Sequence, residues 1–166
     1  MSRIPTPLIK LLKNSLFENE RVIWQGRPDA WTDMMIMRVF WWIAPPWLVL
    51  SAFAIQKGWV DQSAFFFLMT GVIMLVGPVA LYITDLQTLF VITDRRALIL
   101  RTAWGKKTAT SSWFEQIAKL DVFLVKDHVG HLDLISHKPN KIRHEGFRCV
   151  KQVEKVRDLL QQTLDK

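Results

Sequence analysis

Residues 63–83 read SAFFFLMTGVIMLVGPVALYI, and no Asp, Glu, Lys or Arg interrupts them. At about 1.5 Å of rise per residue, a helix of that length crosses the roughly 30 Å hydrocarbon core of a bilayer unaided. Upstream, Val39–Ile55 (VFWWIAPPWLVLSAFAI) is also uncharged and lies near the lower limit for a span. Met34–Met37 lengthens it, with Arg38 snorkelling to the headgroups. Hydrophobic residues make up 50% of the 166-residue chain, and their concentration in two blocks decides the class. So small a protein has no interior in which to bury both helices. The sequence therefore reads as an α+β membrane protein with a transmembrane hairpin over 39–83.

The link from Gln56 to Gln62 is short enough to force an antiparallel hairpin, so both termini fall on one side. The basic residues say which side. Arg3, Lys10, Lys13, Arg21, Arg27 and Arg38 precede the first span, Lys57 alone lies in the link, and the other fifteen of the 22 follow the second span. The positive-inside rule makes both ends cytoplasmic. Trp41, Trp42 and Trp59 fall where interfacial belts form. Pro45-Pro46 and Gly77-Pro78 are expected to break the two helices as ordinary bends with close packing, since no ionisable residue accompanies them. No cleavable signal peptide is expected, because Lys10 and Lys13 interrupt the N-terminal apolar stretch.

Residues 1–38 form a cytoplasmic segment too small to fold alone. Within it Pro7–Phe17 (PLIKLLKNSLF) is amphipathic, Leu8, Leu11, Leu12 and Leu16 opposing Lys10 and Lys13. It is expected to lie on the membrane surface or to dock on the domain that follows. After Asp85 the pattern changes to short strands separated by turn signals. Strands are expected at Leu89–Thr93, Ala97–Arg101, Lys107–Trp113, about Ile117–Val125, His131–Ile135 and around Lys141–Phe147. Asp94–Arg96, Trp104–Lys107 and Asp127–Gly130 are the turns, and Ser136–Asn140 is a Pro-containing loop. A helix over about Val150–Leu164 ends the chain, with Val153, Val156, Leu160 and Leu164 as its apolar stripe. A meander followed by one amphipathic helix makes a small curled sheet with the helix over an open end or face.

Residues 90–101 (FVITDRRALILR), 114–122 (FEQIAKLDV) and 146–160 (GFRCVKQVEKVRDLL) resemble the bacterial pleckstrin-homology-like membrane proteins. ENERVIWQGRPD at 18–29, ahead of the first span, is similar to the same group. The resemblance covers most of the chain, in the same order, around two spans. It implies a pleckstrin-homology-like β-sandwich or barrel with a C-terminal amphipathic helix over 86–166, on the cytoplasmic face of a bacterial inner membrane. Such a domain usually has seven strands, and Arg21–Gly26 (RVIWQG) is the candidate for the last of them by folding back. No activity is implied, because this fold serves many kinds of binding.

The residues that catalysis would need are missing from the pattern. Gly105, Gly130 and Gly146 lie too far apart for a phosphate loop, and there is no G-x-S-x-G elbow. Cys149 sits beside the expected helix start with Arg148 and Lys151 near, but without a His–Asn or CxxC partner it reads as a buried inert thiol. His128, His131, His137 and His144 occupy turns and strands rather than one helix face, and read as solvated loop histidines. Asp94 suits the first position of a tight turn, and Arg95 and Arg96 are expected to pair with carboxylates of the domain. No catalytic residue, metal or cofactor is expected.

Strand parity singles out one tip. The first strand leaves the membrane after Asp85, so the Asp94–Arg96 turn falls roughly 20–30 Å out. That is beyond the roughly 8 Å Debye length, so its arginines do not sense lipid charge. The next strand returns and brings Trp104, Lys106 and Lys107 toward the headgroups as the candidate membrane-surface contact. The Lys126–Gly130 turn returns as well. The expected function is non-catalytic: a membrane-anchored module that binds a protein partner at the cytoplasmic surface, as an accessory or scaffold subunit of a membrane complex. A sensor of anionic lipid headgroups is the second reading and an enzyme with an unrecognised site the third. Nucleic acid is not an expected partner despite a net charge of +7, because the basic residues are dispersed.

Overall fold

The computed structural model describes residues 4–59, 64–138 and 141–164. In chain order its elements are α1 (Thr6–Ser15), β1 (Val22–Gly26), α2 (Ala30–Ile36), α3 (Val39–Gln56), α4 (Ala64–Leu86), β2 (Thr88–Thr93), β3 (Arg96–Arg101), β4 (Thr108–Trp113), β5 (Ile117–Lys126), β6 (Val129–Lys138), β7 (Lys141–Lys151) and α5 (Val153–Leu164). Residues 1–30 and 84–166 form one unit and residues 31–83 another.

The seven strands lie in two antiparallel sheets, β1-β2-β3-β4 and β5-β6-β7. β2 explains why the first sheet needs covers on both sides, because all six of its residues are buried. Phe90 and Ile92 face the main core with Leu132, Leu134, Phe147 and, from α5, Val153, Val156 and Leu160. Leu89 and Val91, joined by Leu98 and Leu100 of β3, face the other way and receive Leu8 of α1, flanked by Leu11, Leu12 and Leu16. The amphipathic N-terminal helix thus docks on the sheet.

The candidate strand at 21–26 is present as β1, which pairs with β2 through Trp24↔Ile92 and Gly26↔Phe90. Trp24 then stacks on Phe147 at 6.2 Å, and Phe147 on Phe90 at 4.7 Å, which ties the returning strand into the core. Seven strands and a C-terminal helix make up the architecture that the resemblance implies.

Several boundaries differ from the sequence reading, two of them instructively. α5 begins at Val153 rather than Val150, because β7 continues to Lys151. Val150 pairs with Gly130 of β6 and bridges to Pro28, so it is held in strand pairing before the chain can wind. Cys149 and Gln152 take φ of +46° and +53° to make that transition. β6 continues to Lys138, through most of the expected loop at Ser136–Asn140; Pro139 and Asn140 lie outside the described residues.

Among the described residues two helices are long and apolar enough to cross a membrane, over Val39–Gln56 and Phe65–Leu86; all but the last three residues of the latter lie in the second unit. Both continue through the prolines expected to break them, Pro45 and Pro46 in α3 and Pro78 in α4. Each proline removes one N–H, and the rest of the ladder together with packing against a neighbouring helix carries the helix past it. Gly71 permits close approach: a Cβ there would lie 2.5 Å from Leu48 Cδ2. Trp47 stacks on Phe67 at 5.8 Å and donates its Nε1–H to the Phe67 carbonyl at 2.9 Å. Trp41 donates likewise to the Leu75 carbonyl at 3.1 Å, whereas Trp42 and Trp59 are exposed. Met34–Met37 does not extend α3, because α2 ends at Ile36 and short-range turns, Met37 N–H to Met34 O and Phe40 N–H to Met37 O, intervene. Residues 60–63 of the expected link and second span lie outside the described residues.

Candidate functional site

The two ends of the β unit differ in chemistry. At the end of the β2–β3 turn, Arg96 is buried. Its Nε–H and Nη2–H donate to the two oxygens of Glu20, each at 2.8 Å, and Nη2–H also reaches the Ser15 carbonyl at 2.7 Å. The guanidinium lies against the rings of Phe17 and Trp113, 4.2 and 5.1 Å from their centroids. Glu20 receives in addition the Phe17 N–H and the Thr93 hydroxyl. The Arg96 hydrogen bonds outweigh the cost of burial and hold the Glu20 carboxyl down at about 2, against an ordinary 4.5. A carboxylate kept ionised, with both oxygens occupied, has no proton to exchange. The cluster fixes structure, joining the segment after α1 to the β2–β3 turn. Asp94 completes the turn by accepting the Arg21 N–H at 3.1 Å. The arginine pairing expected from sequence is therefore Arg96 with Glu20, which lies before the first apolar run.

The opposite end is where the chain departs after Ala30 and returns at Thr84. The β3–β4 tip closes against it: Thr102 N–H donates to the Gln87 carbonyl at 2.9 Å, and Trp104 Nε1–H to the Thr84 hydroxyl at 3.2 Å. Trp104 and Gly105 take φ of +55° and +73°, which turns the chain sharply and leaves Trp104 67% exposed. Lys106 and Lys107 are exposed beside it. Trp104, Lys106 and Lys107 thus share one tip, next to the residue that follows Ile83. Lys107 also lines, with Lys10, Thr6 and Asn14 of α1, an open groove of about 360 Å³ that no carboxylate lines among the described residues.

A second tip shares this end. Val150 of β7 pairs with Gly130 of β6 on one side and bridges to Pro28 on the other. The Asp29 N–H donates to the Cys149 carbonyl at 2.8 Å, and Lys151 Nζ lies 3.7 Å from Asp29. The Arg27 guanidinium donates in turn to the Leu86 carbonyl. The β5–β6 turn is therefore level with the departure and return of the chain. On β5, leading into that turn, Phe123, Leu124 and Val125 are exposed, the first two at 56% each. Sequence reading took these residues only as the end of a strand. The overlooked signal is the unbroken run Val122–Val125, apolar where a strand with one wet face alternates.

Among the described residues no group of three or more His, Cys, Asp or Glu is placed to hold a metal ion. His131 Nδ1 accepts the Cys149 N–H at 3.1 Å, and His128 is exposed, 3.9 Å from Glu154. The side chains of His137 and His144 lie outside the described residues. Cys149 is buried within β7 rather than at a helix start.

No family model and no curated protein matches the sequence. Among solved structures the chain is similar to a pleckstrin homology domain from Shewanella amazonensis, at 12% identity and a TM-score of 0.48 over 99% of this chain and 93% of that one.

Proposed function

We propose that the protein is a non-catalytic, membrane-anchored binding module. Its two apolar helices lie in a bacterial inner membrane, both termini are cytoplasmic, and the β unit recruits a protein partner as an accessory or scaffold subunit. The observation that carries this reading is the placement of both chain connections at one end of the β unit. The unit is left after Ala30 and re-entered at Thr84, and within it the two connections meet where the Arg27 guanidinium donates to the Leu86 carbonyl.

β4 is the outer strand of the first sheet, and its sequence, TATSSW, carries neither charge nor proline. Edge strands without such guards accept an added strand through backbone hydrogen bonds, with side-chain pockets giving selectivity. An extended segment of a membrane-complex subunit fits that edge. Charge placed along it by Ala109→Lys with Ser111→Lys is expected to lower partner recovery from gently solubilised membranes by about tenfold or more. Lys106→Ala with Lys107→Ala is expected to leave recovery intact. Loss of recovery in the second variant only, with circular dichroism unchanged, would reverse the assignment.

The groove between α1 and the β3–β4 tip supports a second reading, recognition of anionic lipid headgroups. Lys10 and Lys107 both line it, and no carboxylate does so among the described residues. Each lysine near the surface contributes about 1 kcal/mol at moderate salt. Anionic lipid retained by the purified full-length protein, and shed by Lys10→Gln with Lys107→Gln or by added salt, is the result that this reading requires.

A further inference from the structure

We infer that the exposed apolar residues beside the β5–β6 turn insert into the bilayer, with the boundary between headgroups and acyl chains as their partner. This rests on the membrane-anchored reading above. Phe123, Leu124 and Val125 are consecutive, so they project to both sides of the strand. A protein docked against one face of a strand meets alternate residues. An exposed stretch that is apolar on both sides suits immersion in an apolar medium. In water the same run on an edge strand is a site of aggregation.

The turn is held in place from β7 and α5: the His128 carbonyl accepts the Val153 N–H at 3.1 Å, and Val129 pairs with Lys151. Asp127 takes φ of +48° in the turn. A Cβ on Gly130 would lie 2.5 Å from the Phe123 carbonyl oxygen, so the two strands approach as closely as only glycine allows. Position agrees with chemistry, since the turn is level with Pro28 through Val150. Trp104, in the other tip of this end, supplies a second point of contact. Charge is close to balanced at the hairpin end: Lys126 is followed by Asp127, and His128 faces Glu154. Insertion is therefore driven by apolar burial, unlike the lysine-lined groove.

The test uses the full chain carrying His128→Cys, labelled with an environment-sensitive fluorophore; Cys149 is buried and does not compete. The protein is reconstituted into phosphatidylcholine vesicles with and without phosphatidylglycerol. The expected result is a blue-shifted label quenched about twofold by bromine on the upper acyl chain, at a depth of about 5–10 Å. Quenching is expected to be equal in both vesicle types and insensitive to salt. Phe123→Ser with Leu124→Ser is expected to restore a water-like emission at an unchanged melting temperature, because both side chains are exposed. A water-like label on the unsubstituted tip, or quenching that survives the double substitution, overturns the inference. So does shielding that appears only at high protein-to-lipid ratio, which identifies a second copy as the partner. Alkaline carbonate separates the two levels: a chain washed from the vesicles refutes the anchoring, and a chain that stays with a water-like label refutes the tip alone.

Discussion

Glu20 and Arg96 are 76 positions apart in sequence and share two hydrogen bonds of 2.8 Å. Because the folded carboxyl is held at about 2 against an ordinary 4.5, its contribution is fully present above about pH 5 and disappears as pH falls toward 2. The corresponding free energy is about 3 kcal/mol. Denaturant unfolding of the full chain in detergent is expected to show a fall of that order between pH 5 and 2. Glu20→Gln leaves the Arg96 charge buried without its counter-charge and is expected to cost about 3–5 kcal/mol at pH 7. The acid-dependent loss should shrink in that variant; an undiminished acid limb would assign it to other carboxylates. Half of this pair was legible. Arg96 reads as a turn arginine that needs a carboxylate, but nothing local says the carboxylate comes from before the first apolar run.

At the scale of elements, the unit consists of 84–166 completed by α1 and β1. A fragment of residues 86–166 lacks both, which uncovers Leu89, Val91, Leu98 and Leu100 and leaves β2 without a partner on one side. That fragment is expected to aggregate or to bind hydrophobic dyes, whereas a chain retaining residues 1–30 is not. Leu8→Ala in the full chain is expected to cost about 2–4 kcal/mol, since Leu8 is fully buried against that face. Val156→Asp places a carboxylate in the main core and is expected to cost several kcal/mol; a wild-type melting temperature would mean that α5 does not close the core. α1 and α5 were readable from their apolar stripes and the two long helices from their uncharged length, whereas the short α2 was not read at all. The unbroken apolar run Leu89–Ile92 is the local sign of the burial of β2 on both faces, which the sequence reading left unused. The end of β7 was not readable: Phe147–Val150 suits a strand or a helix start, and pairing with Gly130 and Pro28, distant in sequence, decides for strand.

For the whole molecule, the proposed arrangement is that the two apolar helices cross a bacterial inner membrane and that both termini are cytoplasmic. The uneven distribution of Lys and Arg and the presence of both chain connections at one end of the unit agree on it. Substituted-cysteine labelling in intact bacterial spheroplasts tests it most directly, since the native Cys149 is buried and gives little background. Lys57→Cys and Lys155→Cys are both exposed positions, one in the turn after α3 and one on α5. Labelling of Lys57→Cys by a membrane-impermeant maleimide in intact spheroplasts, with Lys155→Cys labelled only after permeabilisation, is the expected result. Labelling of Lys155→Cys from outside, or of both positions alike before permeabilisation, contradicts the arrangement.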